Sequence, residues 1–135
     1  MPKENLAITW RRLPERYRLL GSLCEVCKTN YFPKRNLCHR CRRKGKIALK
    51  QFSGKGKIFS FTEITSGPAG FELETPYVLA IIELDEGPKL TAQVVGVGEK
   101  DVKIGDSVEM VFRRIMEDSE EGLLHYGYKF RLVRK

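Results

Sequence analysis

The feature that most constrains this chain is a pair of identical cysteine motifs near its N-terminal end. Residues 24–27 and 38–41 each read C-x-x-C, and together they hold all four cysteines of the 135 residues. Two thiolates three positions apart on a tight turn can reach one metal ion, and two such turns complete a tetrahedron. The spacing therefore predicts one closed, structural metal site. Its predicted ligands are Cys24, Cys27, Cys38 and Cys41.

Zinc is the metal that this donor set favours, because four sulfurs in a closed shell leave no open coordination position for catalysis. Two alternatives remain open: a pair of disulfides, which requires an oxidising compartment, and an iron–sulfur or redox role. The N-terminal MPKENLAITWRR lacks an apolar signal core, and no apolar run has the roughly eighteen residues of a membrane-spanning helix. We therefore expect a cytoplasmic protein without membrane contact.

Two basic residues that follow the cysteine motifs, and the two histidines of the chain, also bear on the metal site. Lys28 and Arg42 follow the second cysteine of each motif, where a glycine often stands, so they add charge beside the metal and strain the turn. With four thiolates available, His39 is expected to point to solvent. His125 has no cysteine neighbour in sequence and is expected in packing or on the surface.

Charge is distributed unevenly along the chain. Residues 1–50 hold fourteen Lys and Arg against three Glu, whereas residues 51–135 hold eleven against fourteen acids. The N-terminal part stays basic even after two thiolate charges are left over on a zinc ion. A basic field attracts phosphate-bearing ligands, either nucleic acid or a nucleotide cofactor, or an acidic protein surface, although charge runs also serve solubility alone.

A helix is predicted before the metal motifs. Trp10, Leu13, Tyr17 and Leu20 recur at spacings of three and four, so they would share one face. We expect the helix to begin near Pro14, since proline suits a first turn, and to end at Gly21. A helix this short needs a docking site, either on its own chain or in the groove of a partner.

From residue 47 onward the pattern changes to short segments rich in β-branched and aromatic residues. Around Ile58 and Phe59 the alternation slips, which is typical of a bulged, bent strand. The chain is thus predicted to be mainly β, with an N-terminal helix and zinc ribbon over residues 1–46. A small Greek-key barrel of the oligonucleotide/oligosaccharide-binding (OB) type is predicted over residues 47–135, with an open sandwich as the alternative. Residues 66–76 form a long connection with apolar Phe71 and Leu73, which either bind a partner or ligand or fold back onto the barrel.

No catalytic apparatus is evident in the sequence. There is no G-x-S-x-G motif, neither histidine has a partner nearby in sequence, and the GKGK of residues 54–57 lacks the rest of a phosphate loop. Glycines in that stretch are better explained by a strand that bends. We predict that the chain is not an enzyme.

Three stretches together resemble one known family. RYRLLGSLCEVCKTNYFPKRNLCHRC, TPYVLAIIELDEGPKLTAQVVG and VKIGDSVEMVF are similar to the rubredoxin-type zinc-ribbon and OB-fold family known as domain of unknown function thirty-five, which has acyl-CoA-associated members. The resemblance spans about residues 10 to 133. It implies a non-catalytic scaffold that bridges acetoacetyl-CoA thiolase and 3-hydroxy-3-methylglutaryl-CoA (HMG-CoA) synthase in the mevalonate pathway, where it aids the transfer of acetoacetyl-CoA.

Coenzyme A carries a pyrophosphate and a ribose phosphate, so basic residues of the ribbon are candidate contacts for it or for a partner enzyme. These candidates are Lys34, Arg35, Arg42 and Arg43. The alternative function is a nucleic-acid-binding module, with Phe59, Phe61 and Tyr77 as base-stacking platforms. The acidic balance of the barrel disfavours that alternative, because it would repel a phosphate backbone.

Overall fold

The computed structural model describes residues 6–69, 71–117 and 124–133, and within them the chain forms one helix, two β-sheet units and a short 3-10 turn at Glu99–Asp101. The helix α1 spans Leu6–Arg18. The strands are β1 Leu20–Cys24, β2 Asn30–Tyr31, β3 Ile47–Gln51, β4 Lys55–Ile64, β5 Tyr77–Leu84, β6 Lys89–Val95, β7 Ser107–Glu117 and β8 Leu124–Leu132.

Strands β4 to β8 form a closed barrel in the order β4-β5-β6-β8-β7. All neighbours are antiparallel except β6 and β8, which pair in parallel through Val94 and Phe130. Alternate residues of each strand point inward and pack as one core. This arrangement confirms the predicted OB barrel and excludes the open sandwich. The predicted slip in β4 is also confirmed, because the register with β5 shifts between Ile58 and Ser60.

The ribbon sheet has the order β2-β1-β3, with both neighbours antiparallel to β1. Strand β3 pairs with β1 along its full length, from Ile47 opposite Cys24 to Gln51 opposite Leu20. The structure thus places β3 in the ribbon sheet, although the sequence pattern assigned residue 47 onward to the barrel. The division into residues 1–46 and 47–135 stays a prediction.

Helix α1 differs from its predicted boundaries. Pro14 lies inside the helix and the described part begins at Leu6, so the predicted start near Pro14 is wrong. The helix packs on β8 and β1, and this packing offsets the local cost of an internal proline. The helix ends at Arg18, before Leu19 at φ 49°. Gly21 lies in β1 instead, where a Cβ would overlap the Tyr31 backbone oxygen and lie 2.5 Å from the Phe52 ring.

The predicted apolar face of α1 is only partly buried. Thr9 is buried, whereas Trp10 is 71% exposed, and Leu20 lies in β1 rather than on the helix. The Tyr17 ring meets the Phe112 ring of β7 edge-on at 4.9 Å between centroids. The helix therefore docks on its own chain with one side and leaves another side open. Among the described residues, no helix is long and apolar enough to cross a membrane.

Candidate metal centre and its surroundings

Each cysteine motif lies on a tight turn closed by one backbone hydrogen bond. The Lys28 N–H donates to the Cys24 carbonyl at 2.8 Å, and the Arg42 N–H donates to the Cys38 carbonyl at the same distance. Lys28 and Arg42 have φ values of 60° and 51°, the left-handed region that glycine adopts more readily. The structure thus confirms that these two positions carry the backbone strain expected from the sequence.

The two turns bring the four cysteine sulfurs together. All four Sγ atoms lie within 4.8 Å of one another, and Cys27 Sγ lies 3.5 Å from Cys38 Sγ. Sulfurs that share a tetrahedral zinc ion at about 2.3 Å are separated by somewhat less than 4 Å, so the cluster fits such an ion. Cys24 and Cys38 are buried, while Cys27 and Cys41 are half-buried. The group can bind a metal ion in a closed site.

The electrostatics of the cluster also fit a cation. The Tyr31 side-chain hydrogen bond lowers the pKa of Cys38 to about 5, and the Cys27 backbone N–H lowers the pKa of Cys24. A hydrogen bond with the Cys27 side chain, followed by burial, instead raises the pKa of Cys41 to about 12. A divalent ion at the centre would favour the thiolate form and hold all four sulfurs deprotonated.

A hydrogen-bonded pair supports the cluster from outside. The Tyr31 hydroxyl lies 3.2 Å from Cys38 Sγ and 2.7 Å from His39 Nδ1. A thiolate can only accept, so with Cys38 deprotonated the hydroxyl would donate to Cys38 and accept from His39 Nδ1–H. His39 is exposed, as expected, and its Nδ1 also lies within hydrogen-bond distance of the Tyr31 hydroxyl. Tyr31 stands between the two motifs in the sequence, but the cysteine spacing did not predict that its hydroxyl would lie within hydrogen-bond distance of Cys38 Sγ.

The four predicted phosphate contacts separate into two groups. Lys34 Nζ lies 3.8 Å from Glu15 Oε1 of α1, and the Arg35 guanidinium lies over the Tyr31 ring at 5.5 Å. Arg42 and Arg43 are exposed and line an open pocket beside the second cysteine motif, together with Leu37, Cys38, His39, Cys41 and Lys44. Whether any of them contacts coenzyme A stays a prediction.

The described residues of the 66–76 connection fold back onto the barrel. The rings of Phe71 and Tyr77 pack together with their centroids 6.1 Å apart. Glu74 Oε2 accepts a hydrogen bond from Lys129 Nζ at 3.3 Å. Lys129 is 6% exposed, so this ion pair fastens the loop to β8. Leu73 remains fully exposed at the tip.

The other residues singled out from the sequence lie apart. Phe59 is half-exposed, with Lys89 Nζ 4.1 Å from its ring centroid. Phe61 packs against the barrel core, so the three proposed stacking rings do not share one open face. His125 is buried in β8, which confirms a packing position.

Comparison with known proteins places this geometry in a family. The family described as the C-terminal OB-fold domain of ChsH2 matches residues 49–113. A "DUF35 domain-containing scaffold protein" of Methanocaldococcus jannaschii is 48% identical over 93% of this chain and 89% of its own length. The chain belongs to the DUF35 family. DUF35 abbreviates domain of unknown function thirty-five, so the resemblance found in the sequence is confirmed.

Two further matches extend the comparison. The solved structure named "Ltp2-ChsH2(DUF35) aldolase" superposes with a TM-score of 0.70 and 27% identity, over 98% of both chains. A "Benzoylsuccinyl-CoA thiolase subunit BbsA" of Geobacter metallireducens is 30% identical over 85% of this chain and 75% of its own length. The DUF35 fold therefore extends over nearly the whole chain.

Proposed function

We propose that this DUF35 protein is a non-catalytic scaffold subunit of an acyl-CoA enzyme complex. The observation that carries the proposal is 48% identity, along nearly the whole chain, to a relative named as a scaffold protein. The likeness to a thiolase subunit and to an aldolase complex points to enzymes of carbon–carbon bond chemistry as partners. More specifically, the proposed role of the chain is to bridge acetoacetyl-CoA thiolase and HMG-CoA synthase of the mevalonate pathway.

The metal centre supports a structural role in that scaffold. Four cysteine sulfurs would fill the tetrahedral positions of one ion and leave no position for substrate or water. We propose that the ion is zinc, which would supply rigidity in place of a large apolar core. Among the residues that the structure describes, the ribbon cluster has three buried members, Cys24, Tyr31 and Cys38. A pre-ordered ribbon can bind a partner without a large entropic cost.

The chemistry of the proposed partners gives bridging a purpose. Condensation of two acetyl-CoA molecules to acetoacetyl-CoA lies uphill, so the product accumulates little and the next enzyme must consume it. Holding both enzymes on one scaffold raises the local concentration of the intermediate at the second active site. Exposed Arg42 and Arg43 at the pocket beside the ribbon are proposed to contact the coenzyme A phosphates during transfer. Lys34 and Arg35 are proposed to contribute to the coenzyme A contact or to bind a partner enzyme. Lys34 also pairs with Glu15 of α1, and the Arg35 guanidinium lies over the Tyr31 ring.

The test is reconstitution with purified acetoacetyl-CoA thiolase and HMG-CoA synthase of the same organism. We expect a ternary complex by native mass spectrometry that forms only when the DUF35 chain is present. Replacement of Arg42 and Arg43 by Ala should weaken acyl-CoA binding by the complex, whereas Lys103→Ala, at an exposed barrel turn, should not. Association with neither enzyme would contradict the proposal, as would turnover of an acyl-CoA thioester by the chain alone. Copurification with nuclease-sensitive RNA or DNA would favour the nucleic-acid alternative.

A further inference from the structure

Helix α1 carries an apolar surface that the rest of the described chain does not cover. Leu6 is 64% exposed and Trp10 71% exposed, and residues four positions apart lie on the same side of a helix. Tyr17 and Phe112 of β7, in ring contact with each other, extend the same surface and remain partly exposed. These four residues are called the helix stripe. Exposed apolar surfaces of this kind mark interaction sites in soluble proteins.

The helix stripe is held in a fixed orientation. Thr9 of α1 is buried, and the Tyr17 ring is held edge-on against Phe112. At the ribbon side, Glu15 pairs with Lys34 at 3.8 Å. Because the helix is already docked on its own chain, a partner that covers the stripe would not have to order it first.

The charge around the helix stripe indicates what kind of surface covers it. Helix α1 contains four arginines and one acidic residue, Glu15, which is paired with Lys34. The four arginines are Arg11, Arg12, Arg16 and Arg18. A second copy of this chain docked stripe to stripe would bring these like charges together, which disfavours self-association. The stripe instead fits a groove with an apolar floor and an acidic rim on a different protein.

We propose that the helix stripe is the docking site for the thiolase-type enzyme, the partner class indicated by the relative named as a thiolase subunit, through an apolar groove with an acidic rim on that enzyme. The proposal rests on the proposed scaffold function and assigns one of its two partner surfaces. Trp10 is the central anchor, because a large aromatic side chain that becomes buried contributes most to such interfaces. Arg11 and its neighbours steer the acidic rim toward the helix.

Trp10 is the only tryptophan in the chain, which allows a direct test. The full-length, zinc-loaded protein labelled with 5-fluorotryptophan gives a single fluorine resonance from the helix stripe. Addition of unlabelled acetoacetyl-CoA thiolase of the same organism should shift or broaden that resonance, whereas HMG-CoA synthase alone should not. Trp10→Asp should weaken thiolase binding at least about 30-fold. The matched control is Ile104→Asp, at a barrel position of similar exposure (69%), which should bind with wild-type affinity.

The outcomes separate this docking site from the scaffold function itself. If thiolase binds wild type and Trp10→Asp equally and leaves the resonance unmoved, the docking site is wrong while the scaffold function stands. If wild type does not bind thiolase, both proposals are overturned. A shift caused by the synthase alone overturns the assignment of the partner. Unfolding curves of Trp10→Asp and Leu6→Asp should match wild type, which shows that lost binding is not lost folding.

Discussion

The ring of Phe32, just after β2, packs against the ring of Tyr128 on β8, with centroids 5.8 Å apart and planes at 72°. Phe32 also meets Phe52, at 6.2 Å, and both Phe32 and Tyr128 lie against the barrel core. Burial raises the pKa of the Tyr128 hydroxyl, as expected for a ring enclosed between two structural units. This contact joins the ribbon to the barrel, and the proposed scaffold function requires the two to be held in a fixed relation.

Phe32→Ala should therefore lower the free energy of unfolding by about 2–4 kcal/mol, since it opens a cavity between ribbon and barrel. Denaturant unfolding of the zinc-loaded protein measures the effect. Phe59→Ala is the control, because the Phe59 ring is half-exposed and contacts Lys89 at the surface. Phe59→Ala should lower the free energy of unfolding by at most about 1 kcal/mol. Equal losses for the two variants would contradict a joining role for Phe32.

Removal of the metal should unfold the ribbon before the barrel. The ribbon cluster depends on the four cysteines, whereas the barrel has a separate and larger apolar core. Elemental analysis should find one zinc ion per chain and none in Cys38→Ser. After treatment with a chelator, backbone amides of β1 to β3 should exchange with solvent faster, while those of β5 and β6 remain protected. Unchanged exchange in the ribbon would show that the metal does not stabilise it.

Tyr31→Phe should weaken zinc affinity about 10- to 100-fold, because it removes the hydrogen bond from the Tyr31 hydroxyl to Cys38 Sγ. Competition with a chromophoric chelator measures the affinity. His39→Ala should have a smaller effect, since the hydroxyl can still donate to Cys38 once the His39 contact is lost. If His39→Ala costs as much as Tyr31→Phe, the hydroxyl does not act on the thiolate directly.

Glu74→Gln should destabilise the fold by about 1–3 kcal/mol, because it leaves the ammonium group of buried Lys129 without its carboxylate partner. Limited proteolysis should then cut more rapidly within residues 66–76. The matched control is Glu109→Gln, whose partner Arg131 is exposed, so the loss should be at most about 1 kcal/mol. Restored stability in the double variant Glu74→Gln/Lys129→Met would support this explanation. A wild-type unfolding free energy for Glu74→Gln would contradict it.

The sequence by itself determined the features that depend on near neighbours along the chain. The spacing of Cys24, Cys27, Cys38 and Cys41 predicted the sulfur cluster, since two tight turns set most of its geometry. Alternation of apolar residues predicted the barrel strands, and the slip at Ile58 predicted the bulge in β4. These patterns are local, so they can be read without knowing which segments meet.

Only the tertiary structure decided features that depend on residues far apart in the chain. Packing on β8 and β1 sets the limits of α1 despite Pro14, and pairing with β1 places β3 in the ribbon sheet. The pairing of Glu74 with Lys129, 55 residues apart, likewise follows from chain folding. Each of these is a balance between a local preference and the burial of surfaces brought together by folding, and the sequence pattern records only the local preference.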